Sequence, residues 1–441
     1  MPRNLGDFEI HWTDSHGNNV FEISLHTEFA DVRVYVPGGN GLAAQGPMAS
    51  WAAFRADEWR AAVGLNNAVT FQVRGASSTA PAGVGAAPAR TVNLSNQDMD
   101  GGLYYWATAT AATAIGIFRH DMRKPGQPAE EFLTTRKTDG RCIGCHVLSR
   151  DGTKMAITYQ DSPMPPGVAT VVDVATTRIA PSAMRSNFGT FTPDNAQFLA
   201  VDHGVLTVHD TATQVVLATM LTSPPKVWIT HPDLSPDGKK LVYVRTDVWE
   251  SDWTFKEGQI YQRTYDAATQ TFGPEQLVLA DGANNYYPSW SPDGNWILFT
   301  RSPTMDKAYD NNNSMIWAVK GDHSQPPVEL AAANVSFGIT DSWARWAPFQ
   351  QTLGSPEEPM YWITLSSKRD FGVRLRNTGL PQRGSTGKRS QLWMTPFFPG
   401  RAAHGIDPSL PAFRLPFQNL ESSNHITQWT ERVVPVPPVI E

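Results

Sequence analysis

The sequence predicts an all-β protein, a small β-sandwich followed by a six-bladed β-propeller. Three observations carry that prediction. Gly and Pro number 34 each and Trp 15 in 441 residues, a turn-rich and aromatic-rich composition that favours strands over helices. Short segments with two-residue alternation recur from Phe8 onward, the period of a half-buried strand. The third is a repeat of apolar strand, tight Asp turn and second apolar strand, in Cys145–Ile157, Phe191–Ala200, His231–Tyr243 and Tyr287–Phe299. In the clearest copies the turn reads Ser-Pro-Asp-Gly: Pro presets φ at the first turn position, and Gly accepts the positive φ that closes the hairpin. The turns lie roughly 40 to 56 residues apart, the length of one four-stranded blade.

Residues 1–98 read as the sandwich. Strands are expected at Phe8–Trp12, Val20–Leu25, Val32–Val36 and Val69–Val73, with one short helix or a tight strand connection over Trp51–Arg60. In length and in its Trp- and Tyr-bearing strands this part resembles a fibronectin type III or immunoglobulin-like domain. Ala76–Pro88 reads as a low-complexity loop or linker, solvated and mobile.

Residues 99–441 read as the propeller. Gly102–Thr108, Gly116–Asp121 and Glu130–Thr134 look like the second, third and fourth strands of a blade with no first strand ahead of them. Asn424–Thr430 looks like a first strand with nothing after it. The C-terminal strand is therefore expected to close the ring and remove the exposed sheet edges. A degenerate copy of the repeat stands at Ser342–Pro348. Across residues 101–430 the Ser-Pro-Asp-Gly hairpins resemble the blades of TolB-like β-propellers. That resemblance implies the fold and says little about activity.

The chemistry sits in one of these blades. Cys142, Cys145 and His146 spell Cys-x-x-Cys-His, the attachment signature of c-type haem. Two thiols at this spacing can add to the two vinyl groups on one edge of a porphyrin, and the adjacent histidine is carried under the ring to the iron. The chain has two cysteines, and both are in this motif. A redox dithiol favours the first turn of a helix, whereas the residues after Cys145 alternate like a strand. A structural zinc wants four ligands, and there is no second Cys pair. A simple disulfide and a coincidental match stay open. Exported bacterial propellers of the myxobacterial type look similar, with such a motif written into one blade.

The first strand of each propeller blade lines the central channel, so one covalent haem c is expected at the rim of the funnel. In that register His146 falls level with Gly189, Pro232 and Pro288, with His231 one residue above and His425 one further. His231 is the first candidate for a distal iron ligand; His425, or Met164 on the Pro-rich stretch Ser162–Gly167, is the alternative, and an open sixth position also stands. Arg141 is a candidate partner for a haem propionate, or else part of a solvated turn. Trp228, Tyr286, Tyr287 and Trp343 lie near blade starts and read as walls of the site or as plain packing. Asp306–Asn313 is oxygen-rich without the spacing of an EF-hand loop. There is no Gly-x-Ser-x-Gly elbow and no His-Glu-x-x-His.

The function expected is electron transfer by an exported mono-haem c-type cytochrome. Its partner would be a redox protein or another cytochrome, with further protein contacts open to the funnel and the N-terminal sandwich. A haem enzyme or ligand sensor with an open iron position, doing peroxide or nitrogen-oxide chemistry, is one alternative. A haem-free, TolB-like protein-binding scaffold is another. The net charge of −6 without Lys or Arg runs argues against a nucleic-acid partner. No apolar segment approaches the length needed to span a membrane. Haem attachment implies the periplasm, the extracellular space or the cell surface. Met1–Phe8 shows no basic-then-apolar leader, so the chain is expected to be a truncated or mature form.

Overall fold

The computed structural model describes residues 1–42, 47–64, 66–159, 168–181, 183–220, 227–335, 338–381 and 387–435. Its recurring local unit is the Asp turn, which is held by a hydroxyl–carboxylate clip. Ser235 Oγ donates to Asp237 (2.6 Å) and accepts the Lys240 N–H (2.9 Å), while Asp237 also accepts the Lys239 N–H (3.1 Å) and Gly238 takes φ +70°. The same clip joins Ser149 to Asp151, Thr192 to Asp194 and Ser291 to Asp293. Such side-chain bonds compete with the strand ladder and fix where the hairpin turns.

Each hairpin links the innermost strand of a blade to its second strand. Blades 2 to 6 start with Ile143–Leu148, Phe188–Phe191, Trp228–Leu234, Asn284–Trp290 and Asp341–Leu353. Blade 1 holds Gly102–Ala107, Gly116–Asp121 and Glu130–Thr134, and its innermost strand is the C-terminal Asn424–Thr430, paired antiparallel with Gly102–Ala107. Six antiparallel sheets thus surround one channel. Apolar clusters fill the gaps between neighbours: Tyr104 and Ile117 of blade 1 meet Ile143, Met155 and Ile157 of blade 2, all buried. Between blades 3 and 4 the same is done by Leu199, Val208, Ile229 and Tyr243.

The first 93 residues form their own sheets. Phe8–Asp14 pairs with Met48–Phe54, and a second sheet contains Asp31–Pro37, Val20–His26 and Ala68–Ser77. Ile23, Phe54, Trp59 and Val69 are buried between them. Ala56–Val63 is a helix, started where Glu58 reaches back to the Arg55 N–H (2.9 Å), and it buries Trp59, Ala62 and Val63. The solvated loop expected over 76–88 is not what forms. Ala80–Ala86 is a fully exposed strand paired with Ala68–Ser77. Gly, Ala and Pro have no side chains to bury there, yet the ladder of the neighbouring strand still satisfies backbone groups. This unit is tied to blade 6 by Glu9–Arg374 (2.6 Å), by the Val373 N–H on His11 (3.3 Å) and by the Asn96 N–H on the Thr352 carbonyl (2.9 Å). No helix among the described residues is long and apolar enough to cross a membrane.

Candidate functional site

The motif begins where a tight turn ends. Asp139 and Gly140 both take positive φ, and the Thr138 hydroxyl donates to the Arg141 carbonyl (2.5 Å), which delivers Cys142 to the head of the inner strand of blade 2. Trp106 of blade 1 donates its indole N–H to the Ile143 carbonyl (2.7 Å). Between Ile143 and His146 the ladder slips by a β-bulge. The bulge sets two residues, Gly144 and Cys145, against one on the partner strand, and so breaks the alternation. His146 pairs with Ile157 and shares its side with the cluster packed between blades 1 and 2. Cys145 packs instead against the aromatic centre of the channel. The two cysteines form no disulfide and are half-buried, and burial pushes the Cys145 thiol up to about 11.

Bulges at the same level recur in the inner strands of blades 4, 5, 6 and 1. There His231, Tyr287, Trp343 and Ile426 hold φ between +51° and +58°. For a bulky residue this conformation costs about 1–2 kcal/mol, and such strain gathers at functional sites. With Phe188 and Cys145 these residues close the channel. Tyr287 stacks on Trp343 at 3.8 Å, and the His231 ring meets Phe188 at 4.3 Å and Tyr287 at 4.2 Å.

His146 is 2% exposed, and neither of its ring nitrogens has a hydrogen-bond partner of good geometry. Burial, then the charges of His425 and Arg345, push its pKa down to about 3, so the ring is neutral. Cys145, His146 and His231 border one enclosed cavity of about 50 Å³ with Asn187, Tyr287 and Arg345. Unpartnered polar atoms concentrate on its walls: both His146 nitrogens, His231 Nε2, the Tyr287 hydroxyl and Asn187 Oδ1. Buried groups left this way cost about 1–3 kcal/mol each and mark a missing partner.

The other candidates separate clearly. His231 is locked in the plug, its Nδ1 accepting the Tyr287 N–H at 3.4 Å. His425 packs edge-on against Trp106 (4.7 Å) and borders a wider cavity of about 550 Å³ at one mouth of the channel. That cavity also holds the buried Lys368–Asp310 ion pair. Burial pushes the pKa of His425 down to about 4. The Arg141 guanidinium lies over the Tyr159 ring at 3.5 Å. Trp228 stacks on Trp249 (5.4 Å), which packs against the plug cluster, and Met164 lies outside the described residues. Sequence reasoning missed Trp106, which braces the motif, and Arg345, which faces it. Neither sits in a recognisable turn; the only signal was that both fall on inner or neighbouring strands.

Two thiols outside any disulfide and a buried, neutral imidazole are the donor set of a c-type haem. The space beside them is less generous: 50 Å³ takes one or two waters, not a porphyrin, unless the aromatic plug gives way. Among the described residues no three His, Cys, Asp or Glu side chains gather as a site for a bare metal ion.

No protein-family model matches this sequence, and no curated protein matches it. The solved structures it is similar to include a TolB candidate from Agrobacterium tumefaciens, at 15% identity over 76% of this chain and 99% of that one, with a TM-score of 0.40. Others are an oligogalacturonate lyase in complex with manganese (16%; 71% and 75%; 0.39) and a prolyl endopeptidase (16%; 68% and 45%; 0.38). At such identities the likeness concerns the fold alone. The propeller itself is read from the six sheets and their closure.

Proposed function

We propose that this chain is a mono-haem c-type cytochrome built on a β-propeller, with haem joined to Cys142 and Cys145 and His146 as the proximal iron ligand. The observation that supports it most is His146: a neutral, buried imidazole with no hydrogen-bond partner of good geometry on either nitrogen and only the Tyr104 backbone opposing the fall in its pKa, next to two thiols that are not paired with each other. When bound, the group supplies reversible one-electron chemistry. The chain's own part is to hold His146 neutral and fixed between two blades, and to keep water away from it with the Phe188–Tyr287–Trp343 plug. His425 is the second ligand of choice, because it borders the wider cavity and its ring is electrostatically coupled to that of His146. His231 would have to leave the plug. Arg141 is the nearest guanidinium in sequence to the attachment site, available to a propionate once it leaves Tyr159. Attachment implies export and a redox partner protein.

A second reading is a haem-free binding propeller, and the closed channel favours it. The test is a visible spectrum of protein made alongside haem-maturation machinery, with a pyridine haemochrome on the denatured chain. A c-type signal, lost in Cys142→Ser/Cys145→Ser, supports the cytochrome. If His425→Ala then turns a low-spin iron high-spin and His231→Ala does not, the sixth ligand follows. Absence of haem despite working maturation leaves the scaffold.

A further inference from the structure

One level below the plug, the inner strands present Val147, Thr190, Asp233, Ser289, Arg345 and Gln428, four residues ahead of the turn aspartates in blades 2 to 5 and at the matching pairs in blades 6 and 1. Arg345 is the one cation in this ring. Among the described residues its guanidinium makes one hydrogen bond, from Nη1 to the carbonyl of its neighbour Ala344 (3.0 Å), and no ion pair with a carboxylate. The carboxylate in the same ring, Asp233, accepts the Trp290 N–H at 2.7 Å and attracts Arg345 electrostatically without forming an ion pair with it. A guanidinium carries five N–H donors in a fork that matches a carboxylate two at a time. Arg345 borders the space beneath the plug, and burial works against its charge.

That space is a cavity of about 160 Å³ on the opposite side of the plug from His425. Arg345 borders both it and the small cavity above. Its walls are Phe191, Trp290, Trp346 and Trp429, and the prolines of the Asp turns, Pro193, Pro236 and Pro292, stand at its mouth. The volume is close to that of an apolar cavity known to hold benzene, about 150 Å³. An aromatic funnel with a cation at its floor suits a ligand with an apolar body and one anionic end. Asp233 in the same ring disfavours a second negative charge, which points to a carboxylate rather than a phosphate dianion.

We propose that Arg345 anchors a carboxylate-binding site at the floor of the funnel, entered from the turn face, for a small aromatic or aliphatic acid or for the C-terminal carboxylate of a peptide. The site is separate from the haem reading and stands or falls without it. The full chain is titrated calorimetrically with benzoate, its neutral counterpart benzamide, inorganic phosphate, and N-acetylphenylalanyl-phenylalanine with a free or an amidated C-terminus. Benzoate or the free-acid peptide binds, benzamide, phosphate and the amidated peptide bind much more weakly, and the preferred arm names the source. Arg345→Gln weakens the carboxylate about ten- to a hundredfold, as loss of charge-assisted hydrogen bonds does. Arg345→Lys retains part of the affinity, and Arg33→Gln, on the N-terminal strand Asp31–Pro37 far from the funnel, leaves it unchanged. Equal binding of benzoate and benzamide, failure of every carboxylate to bind, or undiminished binding by a folded Arg345→Gln overturns the proposal. Should Arg345→Gln not fold, the acid–amide contrast in the native chain and the Lys variant decide it.

Discussion

His146 and His209 are both buried histidines, and they are held in opposite ways. His209 bonds the Thr207 hydroxyl and the Gln214 carbonyl, each at 2.9 Å, so both nitrogens are satisfied. His146 has neither bond. In haem-free protein His146→Leu should therefore leave the urea midpoint unchanged or raise it, while His209→Leu lowers stability by about 1–3 kcal/mol, because its two partners are stranded. A larger loss at His146 than at His209 would mean that the ring has a structural partner after all. His120 gives a pH test of the same physics away from the site. Stacked on Phe417 at 4.0 Å, it has a pKa pushed down by burial from 6.5 to about 4. The unfolded chain thus takes up the proton first. Stability tied to this neutral ring is fully present above pH 6.5 and is lost as pH falls towards 4, at about 1.4 kcal/mol per pH unit. The drop in urea midpoint between neutral and mildly acidic pH should shrink in His120→Phe by about that slope; an unchanged drop contradicts it. The Cys-x-x-Cys-His motif itself was legible at this scale, since three residue types at fixed spacing make it up. The surroundings of His146 were not, because blade 1 supplies Tyr104, whose backbone opposes the fall in its pKa, and His425, which adds to it.

Among the elements, the Asp turns were the most readable. A hydroxyl two residues ahead of an aspartate, then glycine, dictates its own clip wherever it occurs, as Ser235, Asp237 and Gly238 show. Asp237→Ala removes the acceptor of the Ser235 hydroxyl and of the Lys239 N–H, and should cost about 1–2 kcal/mol in denaturant unfolding. An exposed substitution outside the turns, such as Glu257→Ala, should stay within about 0.5 kcal/mol. The bulges were not readable. His231, Tyr287, Trp343 and Ile426 are aromatic or β-branched residues that ordinarily avoid positive φ, and only packing across the channel holds them there. Ala80–Ala86 failed for a related reason: its residues have strand geometry imposed by a neighbour rather than by their own preferences.

For the whole molecule, closure governs stability. Asn424–Thr430 covers the edge of Gly102–Ala107, buries Trp429 between blades 1 and 6 and sets Ile426 into the central plug. A chain ending before residue 424 should lose its single cooperative unfolding transition and associate through the bared edge, as seen by calorimetry and light scattering. A truncated monomer with an unchanged transition would contradict that. The six-bladed architecture could be foreseen because the repeat is local. The plug and the Arg345 ring could not, because each gathers one residue from every blade, and blade 6 lacks a clear Ser-Pro-Asp-Gly turn to set its register.

The central claim concerns what Cys142, Cys145 and His146 hold. It is tested most directly by the intact mass of the denatured, alkylated chain after production with haem-maturation machinery. The account predicts a chain heavier by one haem with no alkylated thiol. A bare chain carrying two alkyl groups would contradict it and leave a binding propeller.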